Sequence, residues 1–212
     1  MSSVSPSELM GAPLISERFR GFLPVVIDVE TGGFNPNTDA LLEIAAVLIE
    51  IQGDGTFIPG ANWRFHVQPF PGSNIEAASL AVNGIDPFHP LRPAVPEKEA
   101  LTKIFQEIRR AVKDYDCTRA VLTGHNAYFD LNFLNAAAIR TDIKRNPFHP
   151  FSCFDTATLA GVTLGQTVLA KALQVAKIPF DTSEAHSAAY DAQKTAELFC
   201  FICNKIRPVY EM

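Results

Sequence analysis

The chain has 212 residues and a formal net charge of −5, with 47% hydrophobic and 19% charged residues. This is a globular composition, long enough for one large domain or two small ones, and it excludes a disordered chain. The acidic balance argues against a protein that grips nucleic acid with its whole surface, and leaves room for a local basic patch or for carboxylates neutralised by metal.

The first segment, MSSVSPSELMGAPLIS, has neither a basic start nor a continuous apolar stretch, so no signal peptide is expected. Residues 1–17, rich in Ser and Pro, read as a flexible lead-in to a single domain over 18–207. LPVVIDVE (23–30) is a strand apolar on both faces, hence central in its sheet. LLEIAAVLIEI (41–51) is a second strand; it is too short for a membrane span and carries Glu43. QGDGT (52–56) is a turn, and NWRFHVQ (62–68) alternates strictly, with Trp63, Phe65 and Val67 on one face. These three strands form an antiparallel meander.

Residues 69–96 are Pro-rich and read as a long functional loop. EKEALTKIFQEIRRAVKDY (97–115) is an amphipathic helix, its stripe running through Leu101, Ile104, Phe105, Ile108, Ala111 and Val112. A strand follows at 119–126, a helix at 127–140, a loop at 144–151, and a short strand within 152–161. Helices close the chain at 166–177 and 187–205. Strands first, then strand–helix alternation, imply an α/β fold with one mixed sheet flanked by helices. Cys117, Cys153, Cys200 and Cys203 are too few for a disulfide framework and point to a reduced, cytoplasmic setting. Cys203 lies on a helical apolar stripe with Ala192, Ala196, Phe199 and Ile206, no second Cys pair accompanies Cys200-x-x-Cys203, and both read as core, not as zinc ligands.

Within VVIDVETGG, Asp28 and Glu30 interrupt an apolar strand and point to one face. Two oxygen ligands on a rigid strand suit Mg²⁺ or Mn²⁺. Alone, D-x-E is a weak motif that acids at a strand end meeting solvent satisfy equally. Asp130, in GHNAYFD, stands in the first turn of a helix, where the helix dipole by itself favours a carboxylate. In AHSAAYD, His186 and Asp191 would sit about 140° apart on one helix. They converge only if His186 lies before the helix start and Asp191 one turn inside.

Four acids and a histidine in the order D-x-E, D, H-x4-D resemble the DEDD exonucleases of the histidine type, which have a ribonuclease H-like fold. The resemblance runs from Arg18 to Phe199 through RFRGF, PVVIDVETGGFN, TDALLEIAAV, GHNAYFDLNFLNAA, KRNPFHPFSCFDTATLAG, GQTVLAKA and AHSAAYDAQKTAELF. It implies a two-metal 3′–5′ exonuclease acting on RNA with a single-stranded 3′ end and on single-stranded DNA, with release of 5′-monophosphates. Asp28 would bridge two Mg²⁺ ions, for which Mn²⁺ can substitute. Glu30 and Asp191 would complete one site and Asp130 the other, with Asp155 as a further acid behind them. His186 would take a proton from the attacking water; an imidazole of ordinary pKa, about 6.5, is a base near neutral pH.

The resemblance also puts Phe34, Phe129 and Phe151 against the terminal bases, where stacking is worth about 1–3 kcal/mol per base. Core packing is the competing reading, above all for Phe129. It further implies a homodimer in which a basic patch of Arg18, Arg20, Arg119, Lys144 and Arg145 faces the partner's active site; a solvated charged surface is the plain alternative. The chain departs from the pattern at Val82, where relatives carry Phe, and at Ala78 and Ser79, where some carry an acid. Those changes bear on terminal-base discrimination. A proofreading DNA exonuclease and a non-catalytic binding module share the fold, and the presence of all five residues speaks against the latter.

Overall fold

An apolar strand with both faces covered must lie inside a sheet, and Phe22–Thr31 (β1) does so in the computed structural model, which describes residues 15–209. It is preceded by a helical turn, Ile15–Arg18 (α1). Most of the 1–17 segment lies outside the described residues; Ile15, Ser16 and Glu17 are helical, and Ile15 is buried. Leu41–Ile51 (β2) and Phe57–His66 (β3) complete an antiparallel meander with β1. Arg119–Gly124 (β4) and Phe148–Asp155 (β5) add on the other side in parallel, in the order β3-β2-β1-β4-β5.

The helices are Ala77–Asn83 (α2), Glu97–Asp114 (α3), Tyr128–Arg140 (α4), Thr156–Leu164 (α5), Leu169–Ala176 (α6) and Ala188–Ile206 (α7). Strand parity divides the core. Val25, Ile27, Val29, Ile44, Ala46 and Leu48 pack against α3 and α4. Val26, Ala45, Val47 and Ile49 pack against α7 through Ala188, Ala192, Ala196 and Phe199. Cys200 and Cys203 belong to this second cluster, and burial raises both thiols. No single described helix is long and apolar enough to cross a membrane.

Several elements differ from the expectation drawn from pattern alone. β3 starts five residues early, at Phe57, because an edge strand tolerates Pro59 and Gly60, which read as breakers. The 69–96 stretch contains α2, which buries no residue and so shows no apolar stripe; Gly84 ends it at φ 67°. β5 takes over the second half of the expected 144–151 loop. Its register jumps from Ala120↔Phe148 to Leu122↔Cys153, a bulge that accommodates Pro150. The 152–161 segment is half helix: Asp155 accepts the Ala157 N–H and caps α5.

Candidate active site

Even-numbered residues of β1 face α7, so Asp28 and Glu30 project on that side beyond Val26. β1, β4 and β5 run parallel, and their carboxyl ends form one crevice. β4 stops at Gly124, and α4 begins four residues later, at Tyr128, past Asn126 at φ 63°. This tight turn brings Asp130 under β1. A side chain at position 124 would lie 3.1 Å from Ala127 Cα and 3.3 Å from Asp130 Oδ2, which explains the glycine. Asp130 is only 4% exposed, and its Oδ1 accepts the Val29 backbone N–H at 3.0 Å.

Asp191 stands in the first turn of α7. His186 precedes that helix, is exposed, and takes φ 66°; its backbone N–H donates to Asp191 Oδ2 at 2.9 Å. Ligand atoms of Glu30, His186 and Asp191 lie within 4.8 Å of one another.

Burial raises the pKa of each of these acids, and repulsion from neighbouring carboxylates adds to it for Asp28 and Glu30. Burial drives the Asp28 carboxyl well above its usual range, and Asp130, Asp191, Glu30 and Glu43 add repulsion. Burial, then Asp191, Glu43 and Asp130, pushes Glu30 up to about 8, against a hydrogen bond from Asn83. Burial also takes Asp130 to about 8 despite the Val29 N–H, with Asp155 contributing. Asp191 is raised by burial, partly offset by the His186 N–H and by the rings of His186 and His125. Acids crowded this closely hold protons in the absence of a cation, and a divalent cation is the natural replacement. The donor set, carboxylate oxygens, fits such an ion, and the His186 imidazole stands beside it.

Asp155 has a different character. Burial pulls its carboxyl up, but bonds from Thr158, Ala157 and Asn126 outweigh it and hold the group below the usual range. It ties the turn before α4 to the start of α5. His125 does similar work, bonding Thr156 Oγ1 at 3.0 Å and the Thr167 carbonyl at 2.9 Å.

Beside the acids lies a cleft of about 270 Å³, lined by Val29, Glu30, Gly33, Phe34, Val82 and Phe129 among others. Phe34 is 79% exposed, with its ring 6.1 Å from that of Phe129. Phe129 also packs on Phe133 at 4.9 Å, so it serves both cleft and core. Gly33 is required because a Cβ there would meet Asp39 Oδ2 at 2.1 Å; Asp39 holds the loop through the Asn35 N–H and the Asn74 amide. Phe151 is 74% exposed on the β5 bulge, against His149, and does not line the cleft.

The basic residues are not at these strand ends. Phe22 pairs with Arg119, and Ala120 with Phe148, so Arg20, Arg119 and the Lys144–Arg145 pair cluster where β1, β4 and β5 begin. The six residue steps from Phe22 to Asp28 correspond to roughly 20 Å. Arg18 stacks over Phe19 and Arg20 over Phe22; Lys144 pairs with Asp142; the Arg145 carbonyl accepts from Arg109.

Three site residues are absent from the sequence-based set: Glu43, His125 and Asn83. Glu43 left a signal, an acid amid LLEIAAVL, but its meaning depends on Glu43 facing Glu30 across β1 and β2.

A mixed sheet with acids at the carboxyl ends of its parallel strands is the ribonuclease H-like class. E. coli exonuclease I in complex with a dT13 oligonucleotide superposes with a TM-score of 0.68 at 16% identity, covering 90% of this chain and 43% of that one. The zinc-bound form of E. coli exonuclease I with single-stranded DNA gives 0.66 at 15% identity, covering 90% and 42%. The chain thus spans less than half the length of these enzymes, and the likeness is one of fold. The RNase T exonuclease family matches residues 25–199. Ribonuclease T of Marinobacter nauticus is 62% identical over 193 residues, 91% of this chain and 87% of the relative; that of Hahella chejuensis is 61% identical over 191 residues, 90% and 88%. The chain belongs to this exonuclease family, the 3′–5′ exonuclease hydrolases of nucleic acid.

Proposed function

We propose that this protein is a metal-dependent 3′–5′ exoribonuclease that trims single-stranded 3′ tails of structured RNAs, in tRNA end turnover and maturation of small stable RNAs, and also accepts single-stranded DNA. The observation that carries the reading is the convergence of Asp28, Glu30, Asp130 and Asp191 on one crevice, with the exposed His186 beside them. Asp28, Glu30 and Asp191 would hold one divalent ion, and Asp28 with Asp130 a second. Bound there, Mg²⁺, or Mn²⁺ in its place, supplies Lewis-acid stabilisation of the attacking and leaving oxygens.

The residues of the chain do the rest. Phe34 and Phe129 stack the last bases so that the scissile phosphate enters along β1, and Phe151 meets the strand further out. His186, whose backbone N–H donates to Asp191 and whose ring stands at the exposed side of the acids, would take the proton from the attacking water. The product leaves as a nucleoside 5′-monophosphate. Asp155 fixes the turn that carries Asp130. We read residues 18–207 as one exonuclease domain acting in the cytoplasm.

The distance between the basic residues and the acids supports a homodimer. A tail lying in one protomer's crevice would find Arg18, Arg20, Arg119, Lys144 and Arg145 on the partner, not on its own protomer. This also reconciles a net charge of −5 with RNA binding.

The test is a 5′-labelled RNA hairpin with a short 3′ tail, incubated with Mg²⁺ or with EDTA, beside a DNA oligonucleotide. Metal-dependent loss of single 3′ nucleotides that stops near the stem, absent in Asp28→Asn, is the expected result. An intact RNA tail with DNA degraded would move the reading to a DNA exonuclease. Both intact, with the protein folded, would leave a binding role.

A further inference from the structure

We propose that Glu43 is a positioning residue of this site: its carboxylate ties the first turn of α7 to β2 and so sets where Asp191 and His186 stand. The inference rests on the roles assigned above to those two residues. Glu43 shares the face of β2 that carries Ala45, Val47 and Ile49, the face packed on α7. Those three are apolar, and an apolar residue would fill position 43 equally well if only packing were needed. Instead the position holds a carboxylate that is 4% exposed, with Oε1 lacking any hydrogen-bond partner among the described residues. Burying such a group is costly unless it is compensated.

The compensation identifies the role. The backbone N–H of Ala188, first residue of α7, faces the Glu43 carboxylate and favours its charge, and Arg64 lies 3.7 Å away, with Arg92 also near. The first N–H groups of a helix have no partner within it. The N-cap residue Ser187 contributes no side-chain bond, and the group on β2 that faces the Ala188 N–H is the Glu43 carboxylate. Three residues on, Asp191 takes the His186 N–H. One chain of contacts therefore runs from β2 through the start of α7 to the acid and the histidine, while Glu43 stands opposite Glu30 across the strands.

The test compares the full-length protein with Glu43→Ala and Glu43→Gln. Glu43→Leu, which keeps the volume, replaces the alanine variant if that one fails to fold. Two quantities are read: kcat and KM on the tailed RNA at saturating Mg²⁺, and amide hydrogen exchange over residues 186–192 in metal-free protein. The alanine or leucine variant is expected to lose about 10- to 100-fold in kcat, the scale of a displacement near an ångström. KM should stay nearly unchanged, and exchange over 186–192 should quicken while that in α3 stays as in the parent. Glu43→Gln keeps an oxygen for the Ala188 N–H and should restore most of both. Parental kcat or parental exchange in the alanine or leucine variant would overturn the proposal. So would a glutamine variant with parental exchange but alanine-like kcat, since the charge would then act on the cation directly. Asp191→Asn and His186→Asn serve as controls: if these remain active, the catalytic assignment fails, whatever the exchange data say of Glu43.

Discussion

Asp130 Oδ1 accepts the backbone N–H of Val29 at 3.0 Å, joining residues 101 positions apart. β1 pairs with β4 only as far as Val26, so the Val29 N–H has no strand partner on that side and the side chain supplies one. The same carboxyl group therefore completes the hydrogen bonding of β1 past the end of its pairing with β4, at the residue between Asp28 and Glu30 in the strand. Asp130→Asn retains an acceptor and should fold like the parent, whereas Asp130→Ala should lose about 1–3 kcal/mol from the stranded N–H. Both should lose kcat on the order of 10²-fold or more, the scale of removing one group that stabilises transition-state charge. Urea unfolding beside the nuclease assay separates the two effects; equal stability of the two variants would contradict the structural half.

The crowded carboxyls make a pH signature. Glu30 and Asp130, ordinarily 4.5 and 3.8, both lie near about 8 in the folded, metal-free protein. Between those limits the folded state binds more protons than the unfolded, so stability must fall as pH rises. The contribution is complete below the ordinary values and lost as pH passes through about 8. Urea unfolding with EDTA should show this decline, and Glu30→Gln should flatten it. Divalent metal should restore stability at the alkaline end and release protons on binding, seen by calorimetry in buffers of different ionisation enthalpy. A profile that is level in EDTA would refute the assignment.

Phe34 and Phe129 should separate binding from stability. Phe34 is exposed, so Phe34→Ala should leave the melting temperature unchanged while raising KM by roughly 5-fold or more, the lower end of base–aromatic stacking. Phe129→Ala should raise KM and also destabilise, because its ring packs on Phe133. A Phe34→Ala variant with parental KM would remove that residue from the substrate path.

Action of the basic cluster across a dimer can be tested by mixing. One variant carries Asp28→Asn with its basic residues intact; the other carries Arg20→Ala, Arg119→Ala and Lys144→Ala with its acids intact. Each alone should be nearly inactive, and the mixture should regain activity, since the intact crevice of the second would meet the intact patch of the first. No recovery after verified subunit exchange, or full activity as a monomer in sedimentation, would end the proposal.

Much of this was legible from residue order, because it depends on local periodicity. The double-sided apolar run of β1, the stripe of α3 and the shared face of Asp28 and Glu30 follow from strand and helix repeats alone. The spacing of His186 and Asp191 allowed them to converge only with a helix start between them, and α7 begins at Ala188. Other features have no local signature. α2 and α5 lack an amphipathic stripe, and the bulge that exposes Phe151 appears only in the register of β5 against β4. That Glu43 is buried against α7, that Asp130 completes the hydrogen bonding of β1, and that the basic residues lie at the opposite end of the strands from the acids depend on which elements meet. Periodicity determines which way a side chain points. Only the packing of distant segments determines what it meets there, and burial and neighbouring charge then decide whether a carboxylate is solvated, paired or left waiting for a cation.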